Sequence, residues 1–151
     1  MIRYAVRFSK LSGLAPPSHV ATMDSYESLD AWKLAHELCI KTMRACDDNY
    51  HPRSLALFNQ LRRAAISIET NIVEGYALGT PAYFSKHIRI AFGSAAETDV
   101  LLRDIAELGY LPVGVSDELR PIVSRCLQTL RGLLRRTTHD SRRTSFKTTA
   151  R

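Results

Sequence analysis

The sequence predicts an all-α protein, and specifically an antiparallel, up-down-up-down, left-handed four-helix bundle. Three observations predict this fold. Apolar residues recur at steps of three and four in four separate segments, the connections between these segments are short and contain Gly or Pro, and no segment alternates with period two for long enough to form a sheet. The length of 151 residues suits one domain around one core.

The first two helices are predicted over about residues 28–47 and 53–77. Ser28 is the predicted N-cap of the first helix, because its hydroxyl can accept a hydrogen bond from a free backbone N–H. Gly75 and Gly79 mark the end region of the second helix. The apolar stripe of the first helix consists of Trp32, Ala35, Cys39, Thr42 and Cys46. The stripe of the second consists of Phe58, Leu61, Ala65, Ile68 and Ile72.

The last two helices are predicted over about residues 81–108 and 117–137. Thr80 is the predicted N-cap of the third helix and Gly109 stops it. Pro121 falls in the first turn of the fourth helix, where its missing N–H is tolerated. The third stripe is Phe84, Ile88, Ala91, Ala95, Thr98, Leu102 and Ile105, and the fourth is Leu119, Ile122, Cys126, Leu130 and Leu133. Stripes with this spacing are typical of left-handed bundle packing.

Charge is distributed unevenly along the chain. Of the formal net charge of +6, residues 1–24 contribute +2 and residues 135–151 contribute +5, so the segment between them carries −1. We therefore expect a weakly ordered N-terminal extension over 1–24, a bundle over 25–137 and a flexible basic tail over 138–151. Such a tail suits contact with RNA phosphates, and it equally suits solubility alone. The candidate nucleic-acid-binding residues are Arg135, Arg136, Arg142, Arg143, Lys147 and Arg151.

Cys39, Cys46 and Cys126 lack the paired spacing of a zinc site or a disulfide framework, and all three fall on apolar faces. We interpret them as reduced thiols in the core of a cytoplasmic protein. No apolar run approaches the roughly 20 residues that a membrane span needs, so no membrane partner is predicted. We also predict no cofactor and no metal.

Two apolar strips lie apart from the predicted core. Ile66 and Val73 share one side of the second helix, and Phe92, Ala96 and Val100 recur at steps of four on the third. Aligned strips on adjacent helices indicate a subunit interface. The sequence therefore predicts a homo-oligomer.

A polar band follows the second helix, and Ser94 and Glu97 are polar positions on the third. A solvated helix surface explains the band most simply, and a hydrogen-bonded band between subunits or between the two helices is the sharper alternative. The polar band consists of Gln60, Arg63, Ser67, Asn71, Glu74, Ser94 and Glu97.

The sequence offers no catalytic constellation. His36 and Glu37 begin like a zinc-protease helix motif, but Ile40 stands where the second histidine would be. His87 lies on the buried arc of the third helix, where a histidine satisfied by hydrogen bonds is more common than a general base. Ser67 has no base that the sequence identifies. We therefore predict that the protein is not an enzyme.

Several segments resemble one small bacterial family, the four-helix-bundle proteins encoded in intervening sequences of 23S rRNA genes. The similarity is carried by residues 26–35 (YESLDAWKLA), 60–75 (QLRRAAISIETNIVEG), 91–97 (AFGSAAE) and 108–111 (LGYL). Where many relatives have a proline in the second helix, this chain has Glu69. The basic residues that relatives often carry after the helix-two glycine are replaced by the segment YALGT.

This resemblance implies a left-handed four-helix bundle that assembles into a ring-like homopentamer and has no known catalytic activity. It also implies kinship with the accessory proteins of diversity-generating retroelements, whose pentamers engage a reverse transcriptase and nucleic acid. Together with the basic tail, it predicts a non-enzymatic oligomeric scaffold that binds RNA or a nucleoprotein partner. The alternative is a protein-binding adaptor for another enzyme, without direct contact to nucleic acid.

Overall fold

The structure, a computed structural model, describes residues 25–148, and for residues 138–148 it describes the backbone only. The helices are α1 (Asp30–Asp48), α2 (Leu55–Ala77), α3 (Pro81–Glu107) and α4 (Val113–Thr148). Single 3₁₀ turns over Tyr26–Ser28 and Pro52–Ser54 precede α1 and α2. The described part of the chain contains no strand, which confirms the predicted all-α class.

Each helix packs against the helices that precede and follow it, and α4 also packs against α1. Gln60 of α2 bonds to Glu97 of α3, and Ser67 bonds to Ser94, so residue numbers rise along α2 as they fall along α3. The same reversed order appears in the pairs His36–Glu69 and Asp47–Arg62 between α1 and α2, and Ser85–Thr137 and Phe92–Arg131 between α3 and α4. Consecutive helices therefore run antiparallel. The left-handed sense of the bundle stays a prediction.

The core lies where the four predicted stripes meet. All the stripe residues are buried except Trp32, Phe84 and Leu133, which are half-buried and pack against the core. The largest side chains with no exposed surface include Phe58, Ile68 and Leu130. Burial of a side chain of this size contributes roughly 1.5–3 kcal/mol, so these stripes supply most of the driving force for folding.

The helix ends agree only in part with the prediction. The Thr80 hydroxyl accepts a hydrogen bond from the Tyr83 N–H at 3.3 Å, which confirms Thr80 as the N-cap of α3. Gly79 and Gly109 have φ angles of +66° and +68°, a conformation that favours glycine at a helix end. The Ser28 N-cap was wrong, because Ser28 belongs to the preceding 3₁₀ turn and α1 begins after Leu29 without a side-chain cap.

Helix α4 is longer at both ends than the sequence indicates. It begins at Val113, so Pro121 lies inside the helix rather than in its first turn. Its helical backbone continues to Thr148, past the boundary predicted between residues 137 and 138. The chain from Leu133 to Thr148 contains no Gly or Pro that would end a helix, which accounts for the difference. None of the described helices is long and apolar enough to cross a membrane.

Candidate functional site

A line of hydrogen-bonded polar residues follows the contact between α2 and α3. We call it the polar seam: Gln60, Ser67, Asn71 and Glu74 of α2 with His87, Ser94 and Glu97 of α3. At its centre the Ser67 and Ser94 hydroxyls lie 2.8 Å apart. The Asn71 amide donates to the Ser67 carbonyl at 2.8 Å and to the Ser67 hydroxyl at 3.2 Å. Ser94 in turn donates to the Ile90 carbonyl at 3.1 Å, so the hydroxyls form a directed chain.

The two ends of the polar seam carry charged groups. At one end the Gln60 amide donates to the Glu97 carboxylate at 2.5 Å. At the other end, Nδ1 of His87 lies 3.1 Å from the side-chain oxygen Oδ1 of Asn71 and 3.3 Å from a carboxylate oxygen of Glu74. Both of these neighbours are acceptors, so Nδ1 of His87 carries its proton toward them. Every residue of the seam therefore has a hydrogen-bond or ion-pair partner on one of these two helices.

The structure brings together every residue of the predicted polar band except Arg63. The Arg63 side chain is exposed on α2 and makes no hydrogen bond or ion pair with the residues that the structure describes. His87 also takes part, which agrees with the prediction of a histidine on the buried arc of the third helix whose hydrogen bonds are satisfied. Its position one turn before Ile90 and two turns before Ser94, on the same side of α3, is the signal that could have found it.

Gly75 brings the two helices close together at the His87 end of the seam. A Cβ atom at this position would lie 2.9 Å from Cβ of His87 and 3.4 Å from Cα of Phe84. Gly75 is buried inside α2, which ends two residues later at Ala77. Gly75 therefore lies in the predicted end region of α2, and its close approach to His87 shows that it also allows close packing of α2 on α3.

The two predicted apolar strips are not equally exposed. Ile66 is 43% exposed and Val100 is 55% exposed, whereas Val73 and Ala96 are half-buried. Phe92 is also half-buried: it packs against the core, and the Arg131 guanidinium of α4 lies 5.6 Å from its ring centre. Ile66 and Val100 are thus the strip residues that a single chain leaves most accessible to a second subunit.

Several exposed apolar residues lie outside the two predicted strips, and Ile90 is one of them. Ile90 on α3 is 43% exposed, one turn before Ser94 on the side of α3 that faces α2. It lies beside the polar seam rather than in line with Phe92, Ala96 and Val100. Its position four residues before Ser94 places it on the side of α3 that carries the polar band, although it does not belong to an unbroken apolar strip.

The groups considered for catalysis have structural partners. Nδ1 of His36 lies 2.9 Å from the Glu69 carboxylate, and its ring stacks on Trp32 with ring centres 5.0 Å apart. Ser67 bonds to Ser94 and Asn71 rather than to a histidine. Among the described residues no group of three His, Cys, Asp or Glu side chains could hold a metal ion.

The three cysteines are buried and unpaired with one another. Burial raises the pKa of the Cys126 thiol from 9.0 to about 12 and that of the Cys46 thiol to about 11. Burial, together with the nearby Glu69 carboxylate, raises the pKa of the Cys39 thiol to about 11. Because the thiolate is the reactive form, these cysteines are unreactive near neutral pH.

The basic residues of the predicted tail are continuous with the bundle. Arg135 and Arg136 are exposed on α4. Positions 142, 143 and 147 lie on the helical backbone of α4, and Arg151 lies outside the described residues. The structure therefore places all of these positions except Arg151 on one helix.

Comparison with known proteins identifies the family. No curated protein matches the chain. The sequence profile of the 23S rRNA-intervening sequence proteins matches residues 27–132, which include α1, α2, α3 and α4 as far as Gly132. The match covers more than half of the chain and ends just before Arg135, the first of the candidate nucleic-acid-binding residues. On this match and the four-helix fold, the chain belongs to the 23S rRNA-intervening sequence protein family.

Proposed function

We propose that the protein is a homo-oligomeric scaffold without catalytic activity of its own, which binds RNA, alone or within a nucleoprotein partner. The observation that carries the proposal is the separation of charge. Residues 25–134 have a net charge of −1, whereas residues 135–151 carry +5 on 17 residues. A polyanion is the partner that such a segment favours, since each phosphate that is neutralised releases bound counterions.

Assembly would multiply this weak contact. The exposed Ile66 and Val100 on two adjacent helices support an interface between subunits, because a second subunit that covered them would remove apolar surface from water. The family resemblance implies five subunits. A pentamer would present five basic segments, and one RNA that reached several of them would gain affinity through the raised effective concentration.

The proposal is tested by measuring RNA affinity against salt for the full chain and for a variant that ends at residue 137. Binding of a mixed-sequence RNA should weaken steeply between about 50 and 200 mM salt, with a slope of about −0.7 for each phosphate contacted on a single strand. The truncated protein should lose most of the affinity. Its oligomer mass should stay unchanged, because Ile66 and Val100 lie on α2 and α3.

Undiminished RNA binding by the truncated protein would transfer the site to the bundle surface, where Arg62, Arg63, Lys86 and Arg89 are available. Absence of RNA binding by both proteins would overturn the proposal. The adaptor function would then be supported by capture of a single protein partner that persists at high salt, because burial of apolar surface is little affected by screening.

A further inference from the structure

The continuous helix α4 arranges its basic residues on one side. At about 100° per residue, positions 135 and 142 lie within about 20° of each other, and so do positions 136 and 143. The arc that holds all the basic positions of this part of the helix spans about 160°. These positions are Arg131, Arg135, Arg136, Arg142, Arg143 and Lys147.

This arc lies opposite the core side of α4. Cys126 and Leu130, which face the core, have no exposed surface, whereas Arg131 and Arg136 are exposed. The only acidic residue of α4 after Leu119 is Asp140, and its position falls outside the arc. At 1.5 Å per residue, the basic arc from position 131 to position 147 is roughly 24 Å long.

Within the arc the basic positions form two rows. One row contains positions 131, 135 and 142, and the other, about 120° away, contains positions 136, 143 and 147. For a helix about 10–12 Å in diameter, two rows at this angle are roughly 9–10 Å apart at its surface. We call this arrangement the two-row basic face.

Two parallel rows suit a ligand that has two phosphate strands. A base-paired RNA presents such strands on either side of a wide, shallow minor groove, and a rigid helix that lies along the groove can contact both. A single strand has one phosphate backbone and is usually held by successive aromatic side chains on which its bases stack. α4 has one aromatic residue, Phe146, close to its end.

We propose that the two-row basic face of α4 is a binding site for base-paired RNA, with each row on the phosphates of one strand. This inference rests on the proposed RNA-binding function and adds the class of RNA and the need for a helical register. Asp30 at the start of α1 lines a depression together with Gly132 and Arg136 at the bundle end of this face. The face contacts backbone rather than base edges, so it distinguishes paired from unpaired RNA with little preference for sequence.

The test separates helical register from charge. In the variant Arg142→Thr, Arg143→Ser, Thr144→Arg and Ser145→Arg, the composition and net charge are unchanged, and the two arginines move to positions about 180° and 280° from Arg135. Affinity for a mixed-sequence RNA duplex should fall about 10-fold or more, and the salt slope should decrease by about 2, since two phosphate contacts are lost. Circular dichroism should show the same helix content as the unmodified protein.

The unmodified protein should also bind the duplex more tightly than a single strand with the same number of nucleotides. Equal affinity for the two RNAs, or a rearranged variant that binds the duplex as well as the unmodified protein, would overturn the two-row site. If the rearranged variant binds normally while truncation at residue 137 abolishes binding, the proposed function stands and only the helical site fails. If truncation has no effect either, the RNA-binding site lies on the bundle surface and the helical site on α4 fails alone. Absence of RNA binding by the full chain and by both variants would overturn the proposed function as well.

Discussion

The hydroxyl groups of Ser67 on α2 and Ser94 on α3 lie 2.8 Å apart, at the middle of the polar seam. Polar groups that pair across a helix contact are satisfied in one alignment of the two helices and left unpaired in others. A shift of α3 by one turn along α2 would separate the serines and also separate Gln60 from Glu97. The polar seam therefore specifies the alignment of these two helices, while the apolar core supplies most of the stability.

Asn71→Leu should destabilise the folded protein by about 1–3 kcal/mol, because half-buried polar groups lose a hydrogen-bond partner. The Ser67 carbonyl loses the Asn71 amide as donor, and His87 keeps Glu74 as its remaining partner in the seam. Urea unfolding measures the change. Thr70→Ala is the matched control on the same helix, since among the described residues the exposed Thr70 hydroxyl bonds only to backbone carbonyls of α2. This substitution should change the free energy of unfolding by less than about 0.5 kcal/mol. Equal effects of the two substitutions would show that the seam is a solvated surface.

Glu97→Leu at the other end of the seam should have a smaller effect on stability than Asn71→Leu. Glu97 is exposed, so the hydrogen bond from Gln60 exchanges readily with water. The same urea experiment measures this difference. A loss for Glu97→Leu as large as that for Asn71→Leu would indicate that Glu97 is buried in the assembled protein.

Gly75→Ala should destabilise the protein by about 1–3 kcal/mol, although alanine is the better helix former. The new Cβ would lie 2.9 Å from Cβ of His87, which belongs to a stiff part of its side chain, so α2 and α3 would have to separate. Gly132→Ala is the control, because a Cβ there would have no atom within 4 Å among the described residues. That substitution should stabilise α4 by about 0.5–1 kcal/mol. Thermal unfolding of both variants gives the comparison, and a stabilised Gly75→Ala variant would contradict the close approach.

Val100→Asp should dissociate the assembly while leaving the subunit folded. Val100 is 55% exposed in the single chain, so the aspartate is costly only if another subunit buries it. Phe92→Asp would be a poor choice, because Phe92 packs against the core of its own subunit. Light scattering should give about five times the subunit mass of 17.0 kDa for the unmodified protein and for Val113→Asp, a control residue at the start of α4 that is 77% exposed.

A concentration-independent monomer for the unmodified protein would contradict the assembly. An assembly of a different size would contradict only the pentamer. A Val100→Asp variant with unchanged mass would exclude the α3 strip from the interface and leave Ile66 on α2 as the position to change next.

Stability should decrease as the pH rises above about 9, through the three buried thiols. Burial raises the thiol pKa in the folded state to about 12 for Cys126 and to about 11 for Cys39 and Cys46. Between pH 9 and these values the unfolded chain loses a proton that the folded chain keeps, so unfolding becomes more favourable by up to about 1.4 kcal/mol per pH unit for each thiol. Below pH 9 these thiols contribute no pH dependence.

The free energy of unfolding, measured in urea between about pH 8 and pH 10.5, tests this linkage. Cys126→Ala leaves a small cavity whose cost does not depend on pH, so the slope against pH is the relevant quantity. The slope should be shallower for Cys126→Ala than for the unmodified protein. Parallel curves would mean that the Cys126 thiol ionises equally in the folded and unfolded states.

Periodicity in the sequence was sufficient to predict the four helices, most of their bounds and the residues of the core. This signal is local and repeated: a position such as Ile68 or Leu102 is identified by apolar neighbours three and four residues away. The N-cap at Thr80 and the helix ends at Gly79 and Gly109 could be predicted equally well, because their physical causes lie within a few residues of the chain.

Only the tertiary structure decided which of these positions meet and at what distance. Gly75 allows close packing because His87 lies against it, and the Ser67 hydroxyl has a partner because Ser94, 27 residues further along the chain, lies opposite. Phe92 is half-buried because it packs against the core, and the Arg131 guanidinium of α4 lies over its ring. Arg135 and position 142 share one side of α4 because the helical backbone continues over residues for which a tail was predicted. The sequence by itself therefore determined the elements and their apolar faces, since these follow from contacts between near neighbours. The packed bundle decided the polar seam, the accessible strips and the two-row basic face, since these depend on how elements distant in sequence are placed and how far a helix extends.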